Sequence, residues 1–104
     1  MYRSVLTLRA NPEQVERILD LYRREQILQE SMSLTRQLSS DIAVAADGSG
    51  EVVVTAEWPD ENGYQEWLDH PDRSRTAPEL AELLADAEIG VGRLYRVDHR
   101  VTRD

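Results

Sequence analysis

Apolar and polar residues alternate in two stretches of the chain, as they do in half-buried β-strands. The first stretch is Tyr2–Arg9, in which Ser4, Leu6 and Leu8 fall on one face. The second stretch, Glu51–Trp58, contains three consecutive valines. An apolar run of this kind indicates a strand that is buried on both faces.

A helical pattern follows the first strand. Asn11 is placed to cap a helix, Pro12 suits its first position, and Gln14 completes a capping box. Apolar residues then recur at intervals of three and four: Val15, Ile18, Leu19 and Tyr22. This spacing predicts an amphipathic helix that reaches about Gln29.

The middle of the chain is predicted as a strand and a turn. Ser31–Ala46 alternates in part, through Leu34, Arg36 and Leu38 and then Ile42 and Val44. We expect one long, bulged strand here. Residues 47–50 (DGSG) predict the hairpin turn that leads into the second alternating stretch, because glycine tolerates positive φ.

The second half of the chain predicts a broken helical region and a last strand. Asp60 or Asn62 is expected to cap a short helix that ends before Pro71. A further helix is expected from Thr76, with its leucines facing inward. Gly90 and Gly92 then precede a last strand, predicted as Arg93–Val101.

The element order is β-α-β-β-α-β, which predicts one α+β domain over residues 1–104. We expect the ferredoxin-like split βαβ fold, a four-stranded antiparallel sheet with helices on one face. The other face would then be bare, and the run of three valines is the clearest sign that this second face is buried. Pairing of two chains through these faces is the simplest way to cover it, so a homodimer is predicted. The alternative is a solvated face carrying Thr7, Arg9, Thr55 and Glu57.

The amino-acid composition excludes several classes of function. The 104 residues carry a net charge of −8, with no Cys, and all the basic residues are Arg. Thiolate chemistry and lysine Schiff bases are excluded, and an acidic chain without a basic stripe is not expected to bind nucleic acid. No signal peptide or membrane span is predicted, and a cytoplasmic location is the default.

Half of the six aromatic residues lie within ten positions: Trp58, Tyr64 and Trp67. Tyr64 and Trp67 are three residues apart on a predicted helix and therefore share a face. Aromatic rings concentrated at a strand end and a helix start predict the wall of an apolar cavity. Ordinary core packing is the alternative for each of these rings, and also for Tyr22 on the first helix.

The strand end VVVTAEW, followed by Tyr64, Trp67-Leu68 and Pro71, resembles the antibiotic biosynthesis monooxygenase superfamily, a group of dimeric α+β barrels. By this resemblance, Trp58 and Tyr64 match the Trp and Tyr that line the substrate pocket of the quinone-forming members. Two positions depart from that group: Val54 stands where those enzymes have Asn, and their helix Arg falls near Ala77.

The same superfamily contains haem-degrading oxygenases. Trp67 matches the Trp that presses on the porphyrin in that branch, but the axial His falls at Ala77 and the first-strand Asn at Thr7. Alanine cannot ligate iron, so haem binding is not expected. The two histidines, His70 and His99, give no metal-binding pattern. We therefore expect no cofactor and no metal.

Seven residues are candidates for the site. The resemblance gives Tyr64 the task of orienting or exchanging a proton and Trp58 that of packing the ring and donating a hydrogen bond, with Trp67 closing the wall. His70 has the pKa range of a general base, although a histidine at a helix end also serves as a cap. Tyr22, Arg36 and Tyr95 complete the set as candidate ligand contacts. Arg36 and Arg93 are expected mid-strand, with ion pairing as the alternative role.

Three functions remain open. The first is a small cofactor-independent monooxygenase that acts on an aromatic, polyketide or quinone-type metabolite. The second is a non-oxidative cyclase or isomerase of the same fold. The third is a dimer that binds a ligand without catalysis.

Overall fold

Two long strands, β1 (Tyr2–Arg9) and β3 (Glu51–Trp58), form the centre of one antiparallel sheet. The structure is a computed structural model that describes residues 1–85 and 87–103. Strand β2 (Ser39–Val44) pairs with the outer edge of β3. The free edge of β1 pairs with two short strands, β4 (Glu88–Ile89) and β5 (Arg93–Arg96).

Helices connect these strands. Between β1 and β2 lie α1 (Pro12–Arg24) and α2 (Ile27–Leu34). Between β3 and β4 lie α3 (Glu61–Asp69), a 3₁₀ turn (Pro71–Ser74) and α4 (Ala77–Leu83). The chain thus has an antiparallel sheet with helices in both crossovers, and the predicted α+β ferredoxin-like fold is confirmed.

The helices cover one face of the sheet. Leu8 and Val52 are opposite each other in the register and are almost completely buried. They pack with Val15 and Ile18 of α1 and with Leu84. Since side chains alternate along a strand, every second residue of β1 and β3 faces the helices. The core therefore lies between the Leu8–Val52 end of the sheet and α1.

The strand predicted over Ser31–Ala46 is wrong in its first half. Residues up to Leu34 form α2, and the strand begins only at Ser39. The spacing of Leu34, Arg36 and Leu38 imitates strand alternation, but it falls across a helix end and a loop. Arg36 and Arg93 are accordingly not mid-strand, since Arg36 lies in that loop and Arg93 begins β5.

Two further boundaries differ from the sequence prediction. The first helix does not run through to Gln29, because Gln26 has a φ of 51° and separates α1 from α2. This left-handed conformation is uncommon for a residue other than glycine, and composition gives no sign of it. The last strand ends at Arg96 rather than Val101, and β4 precedes it after a break at Gly90–Gly92.

Both predicted helix starts are present, with different capping. Asp60 occupies the N-cap of α3, and its side chain accepts the backbone N–H of Gly63 at 2.8 Å. Asn11 occupies the N-cap of α1, but its side chain makes no capping bond. Its backbone carbonyl accepts the N–H groups of Gln14 and Val15 instead. Pro12 stands in the first turn, as predicted.

The outer face of the sheet has an uncharged centre and a charged border. Val5, Thr7, Val53 and Thr55 are half-buried in the single chain, and none of them carries a charge. Ion pairs flank them, with Arg9 3.0 Å from Glu51 at one end and Arg3 and Arg100 around Glu57 at the other. Val53 is therefore not covered by the chain's own helices.

The Gly50 backbone sets the turn before β3 and provides a direct test of the fold. Gly50 has a φ of 85°, and a Cβ there would lie 2.0 Å from the carbonyl oxygen of Ala10. We predict that Gly50→Ala lowers the free energy of unfolding by about 3 kcal/mol. Gly48→Ala is the matched control, because Gly48 has a φ of 76° but open space around it. It should cost only about 1 kcal/mol in urea unfolding. Equal losses would contradict the close approach to Ala10.

Candidate functional site

A cavity of about 600 Å³ lies between the sheet and the helices, beside the core. The sheet contributes small side chains to its floor, including Ser4, Ser40 and Ala56. Ser4 and Ala56 are opposite each other in the β1–β3 register, at the other end from Leu8 and Val52. Because small side chains do not reach the helices, a space remains above them. Its walls come from all four α-helices and the 3₁₀ turn: Tyr22, Ile27, Leu28, Ser31, Tyr64, Trp67, Leu68, Arg73, Thr76, Ala77 and Leu80.

Trp58 is the largest fully buried side chain and stands at the base of this cavity. Its indole Nε1–H donates to Ser4 Oγ at 3.0 Å. The sequence left this donor free for a ligand carbonyl, whereas the structure pairs it with Ser4. The Trp58 indole N–H is therefore already paired within the chain.

Tyr64 and Trp67 of α3 both line the cavity, and Tyr64 stands beside Trp58. The Tyr64 ring centroid is 5.7 Å from that of Trp58, with the ring planes inclined at 59°. A Cβ at Gly92 would lie 3.0 Å from the Tyr64 hydroxyl, so the absence of a side chain there leaves room for the phenol. Tyr64 makes no hydrogen bond to another described residue, and its hydroxyl is available to a ligand.

Tyr22 of α1 faces the cavity from the core side. Its side chain is 7% exposed, and its hydroxyl has no hydrogen-bond partner within the described part of the chain. Burial raises the pKa of the Tyr22 phenol, because a tyrosinate would lack solvation there. The phenol therefore stays neutral and can donate a hydrogen bond.

Two buried polar residues that line the same cavity as Tyr22 were missed by the sequence analysis. Ser31 of α2 and Gln37 of the following loop are both over nine-tenths buried and line the cavity. Ser31 Oγ lies 2.9 Å from the Leu28 carbonyl oxygen and 3.1 Å from Gln37 Oε1. A hydroxyl has one proton to donate. In either amide orientation, one end of the Gln37 amide therefore has no partner among the described residues.

The other three candidates lie away from the cavity wall. His70 follows α3, and its Nδ1 accepts the backbone N–H of Asp72 at 3.1 Å, which is a capping role. Tyr95 lies on the outer face, with the Arg93 guanidinium 5.2 Å from its ring centroid. Only four of the seven predicted residues thus come together: Tyr22, Trp58, Tyr64 and Trp67.

Arg36 is an ion-pairing residue outside the cavity. Its guanidinium lies 2.8 Å from Glu66 Oε1 and 3.1 Å from Asp60 Oδ2. Hydrogen bonds to Glu66 and then Asp60 raise the pKa of Arg36 and fix its positive charge. The pairing joins the loop before β2 to α3. It corresponds to the structural alternative weighed for this arginine from the sequence.

The described residues offer this site few groups that could hold a metal cation. The described residues include no group of three His, Cys, Asp or Glu side chains placed to hold a metal ion. Along the cavity wall, Arg73 is the one charged side chain that the described residues provide. No pattern in the sequence pointed to Arg73, because arginines are scattered throughout the chain. Nor does any described helix have the length and apolar character needed to cross a membrane.

The unpartnered Tyr22 hydroxyl gives a prediction about stability and pH. At pH 7, Tyr22→Phe should leave the free energy of unfolding within about 0.5 kcal/mol of the wild type, because no hydrogen bond is lost. Above about pH 10, the unfolded phenol ionises while the folded one resists, so the wild type loses stability as pH rises. Tyr22→Phe should lose less over that range in urea unfolding. Tyr95→Phe, at an exposed ring, is the control and should retain the alkaline loss. A large destabilisation of Tyr22→Phe at pH 7 would show that the hydroxyl has a structural partner.

Comparison with known proteins supports the fold strongly and the sequence relationship weakly. No protein-family model matches the sequence, and no curated protein is similar to it. A candidate antibiotic biosynthesis monooxygenase from Deinococcus radiodurans superposes with a TM-score of 0.78 over 100% of this chain and 99% of its own, at 17% identity. A dimeric ferredoxin-like protein from an uncultured marine organism superposes with a TM-score of 0.77 over 96% of this chain and 97% of its own, at 19% identity.

A variant of SnoaB, a cofactor-independent oxygenase from Streptomyces nogalater, is also similar in structure. Its TM-score is 0.67 over 98% of each chain, at 12% identity. The fold implied by the strand end at Trp58 and the helix carrying Tyr64 is thus confirmed. The chain has the ferredoxin-like fold that antibiotic biosynthesis monooxygenase-like proteins share.

Proposed function

We propose that the protein is a small cofactor-independent monooxygenase that oxidises an aromatic, polyketide or quinone-type metabolite in the cavity. The observation that carries the proposal is the concentration of aromatic rings around one cavity. Four aromatic side chains, Tyr22, Trp58, Tyr64 and Trp67, border one space of about 600 Å³, the size of a small-molecule site. The similarity in fold to an oxygenase described as cofactor-independent supports it.

The proposed reaction requires few catalytic groups from the protein. A phenol or enol that loses its proton becomes electron-rich enough to pass one electron to O₂, and the two radicals combine to a peroxide at the ring carbon. Cleavage of the O–O bond with loss of water then leaves a carbonyl, so one oxygen atom enters the product, the other becomes water, and the substrate itself supplies both electrons. The cavity would hold the ring between Trp58 and Trp67 and keep water away from the anion. Tyr64 would donate a hydrogen bond to the developing oxyanion and exchange the proton.

Oxygen consumption tests this assignment. With a panel of anthrone- and naphthol-like substrates, we expect uptake that falls about a hundredfold in Tyr64→Phe, the scale of a lost proton-transfer group. Trp58→Phe should weaken substrate binding by a smaller factor because an aromatic ring is retained. Tyr95→Phe, which removes a phenol on the outer face, is the matched control and should keep full activity.

Other outcomes separate the alternatives. Uptake that survives Tyr64→Phe unchanged would remove Tyr64 from the mechanism. Ligand binding without oxygen uptake or any product would favour a binding dimer, and this alternative has support in the site. The cavity wall formed by the described residues includes no carboxylate or imidazole to act as a general base. Conversion without oxygen uptake would instead indicate a cyclase or isomerase.

We also propose that two chains pair through the outer faces of their sheets. Val5 and Val53 lie beside uncharged threonines at the centre of this face, and structurally similar proteins are described as dimeric. Pairing would bury the valines and surround them with the ion pairs of the border. In an isologous two-fold arrangement, the patch on one chain packs against the same patch on the other chain.

Sedimentation or light scattering tests the pairing. We expect the wild-type protein to have twice the mass of one chain. Val53→Glu places two like charges near the two-fold axis and should weaken the dimer by at least about tenfold. The control is Ala81→Glu, which adds the same charge at an exposed position of α4. A monomeric wild type, or a Val53→Glu dimer as tight as the control, would contradict the proposal.

A further inference from the structure

Arg73 differs from the arginines around it. It belongs to the 3₁₀ turn, lines the cavity and is exposed, which places it at the cavity mouth. Nearby Arg75 is bound by Glu30 and Glu25, and Arg36 by Glu66 and Asp60. Arg73 pairs with no carboxylate in the part of the chain that the structure describes. Its charge therefore remains available at the mouth.

This charge stands out against the rest of the molecule. The chain has a net charge of −8, yet the described residues place no acidic side chain along the cavity wall. The long-range field repels anions, so only a local cation can favour one in this cavity. An apolar wall next to Arg73 also reduces the competition from water for its hydrogen bonds.

Polar atoms without partners also mark the interior of the cavity. The Tyr22 hydroxyl and one end of the Gln37 amide face the space, and both side chains are over nine-tenths buried. Polar groups on side chains this deeply buried normally have a hydrogen-bond partner. Such atoms indicate a ligand that brings an oxygen into the interior. They are independent of the charge at the mouth.

We propose that the cavity selects an aromatic carboxylate. The carboxylate would pair with the Arg73 guanidinium at the mouth, the fused rings would lie along Trp58 and Trp67, and a ring hydroxyl or carbonyl would meet Tyr22 and Gln37. A guanidinium matches a carboxylate with two parallel hydrogen bonds. The inference rests on the proposed function in taking this cavity as the substrate site, and it assigns the substrate a permanent negative charge.

A pair of probes of equal size tests the charge. 2-Naphthoate and 2-naphthamide differ in charge but share the ring, and isothermal titration calorimetry measures their affinities without any turnover. We expect the wild-type protein to bind the naphthoate about tenfold more tightly, the scale of a charge-assisted hydrogen bond. Arg73→Gln should remove that preference and leave the amide within about twofold, while Arg73→Lys should retain part of it.

Arg23→Gln is the matched control, because it makes the same change in net charge on the exposed end of α1, away from the cavity. It should preserve the preference for the acid. Equal affinities for the two probes in the wild type, equal losses for both in Arg73→Gln, or no binding of either probe would overturn the proposal. Calorimetry needs no oxygen chemistry. Arg73-dependent binding without oxygen uptake would therefore reject the proposed oxygenase function but support an aromatic carboxylate as the ligand. Oxygen uptake with neutral substrates alone would support the oxygenase function but reject the carboxylate.

Discussion

The register between β1 and β3 is the constraint on which both the core and the cavity depend. It places Leu8 opposite Val52 at one end of the sheet and Ser4 opposite Ala56 at the other. The large pair reaches the helices and forms the core, whereas the small pair leaves the space above it open. If one strand slipped by one residue, its member of each pair would turn to the outer face, and core and cavity would be disrupted together.

The cover over the cavity is attached differently from the core. Ion pairs tie it down, with Arg36 linking the loop before β2 to α3 and Arg75 linking the 3₁₀ turn to Glu25 and Glu30. Exposed pairs of this kind contribute little to stability. The 3₁₀ turn is therefore held less firmly than α1, whose Ile18 and Leu21 are completely buried.

Sequence reasoning succeeded where a periodic pattern coincided with burial. The alternation in β1 and β3, the start of α1 at Pro12 and the ring cluster around Trp58 were all readable, and they were sufficient for the fold and one wall of the cavity. Reasoning failed where a single backbone conformation decided the outcome, since the left-handed Gln26 ends one helix and frees α2 to form. Gln37 and Arg73 could not be found either, because loop and turn residues carry no periodicity that says which way they face.

The distribution of unpaired polar atoms is the best argument that the cavity serves a ligand. The fold pairs the Trp58 indole with Ser4, although a phenylalanine would have avoided the need for a partner. It nevertheless leaves the Tyr22 hydroxyl and part of the Gln37 amide unpaired in the same space. A phenylalanine at position 22 would cost the fold no hydrogen bond, so the fold does not require this hydroxyl. A ligand oxygen in the cavity would give the Tyr22 hydroxyl and the free end of the Gln37 amide the partners that the chain does not supply.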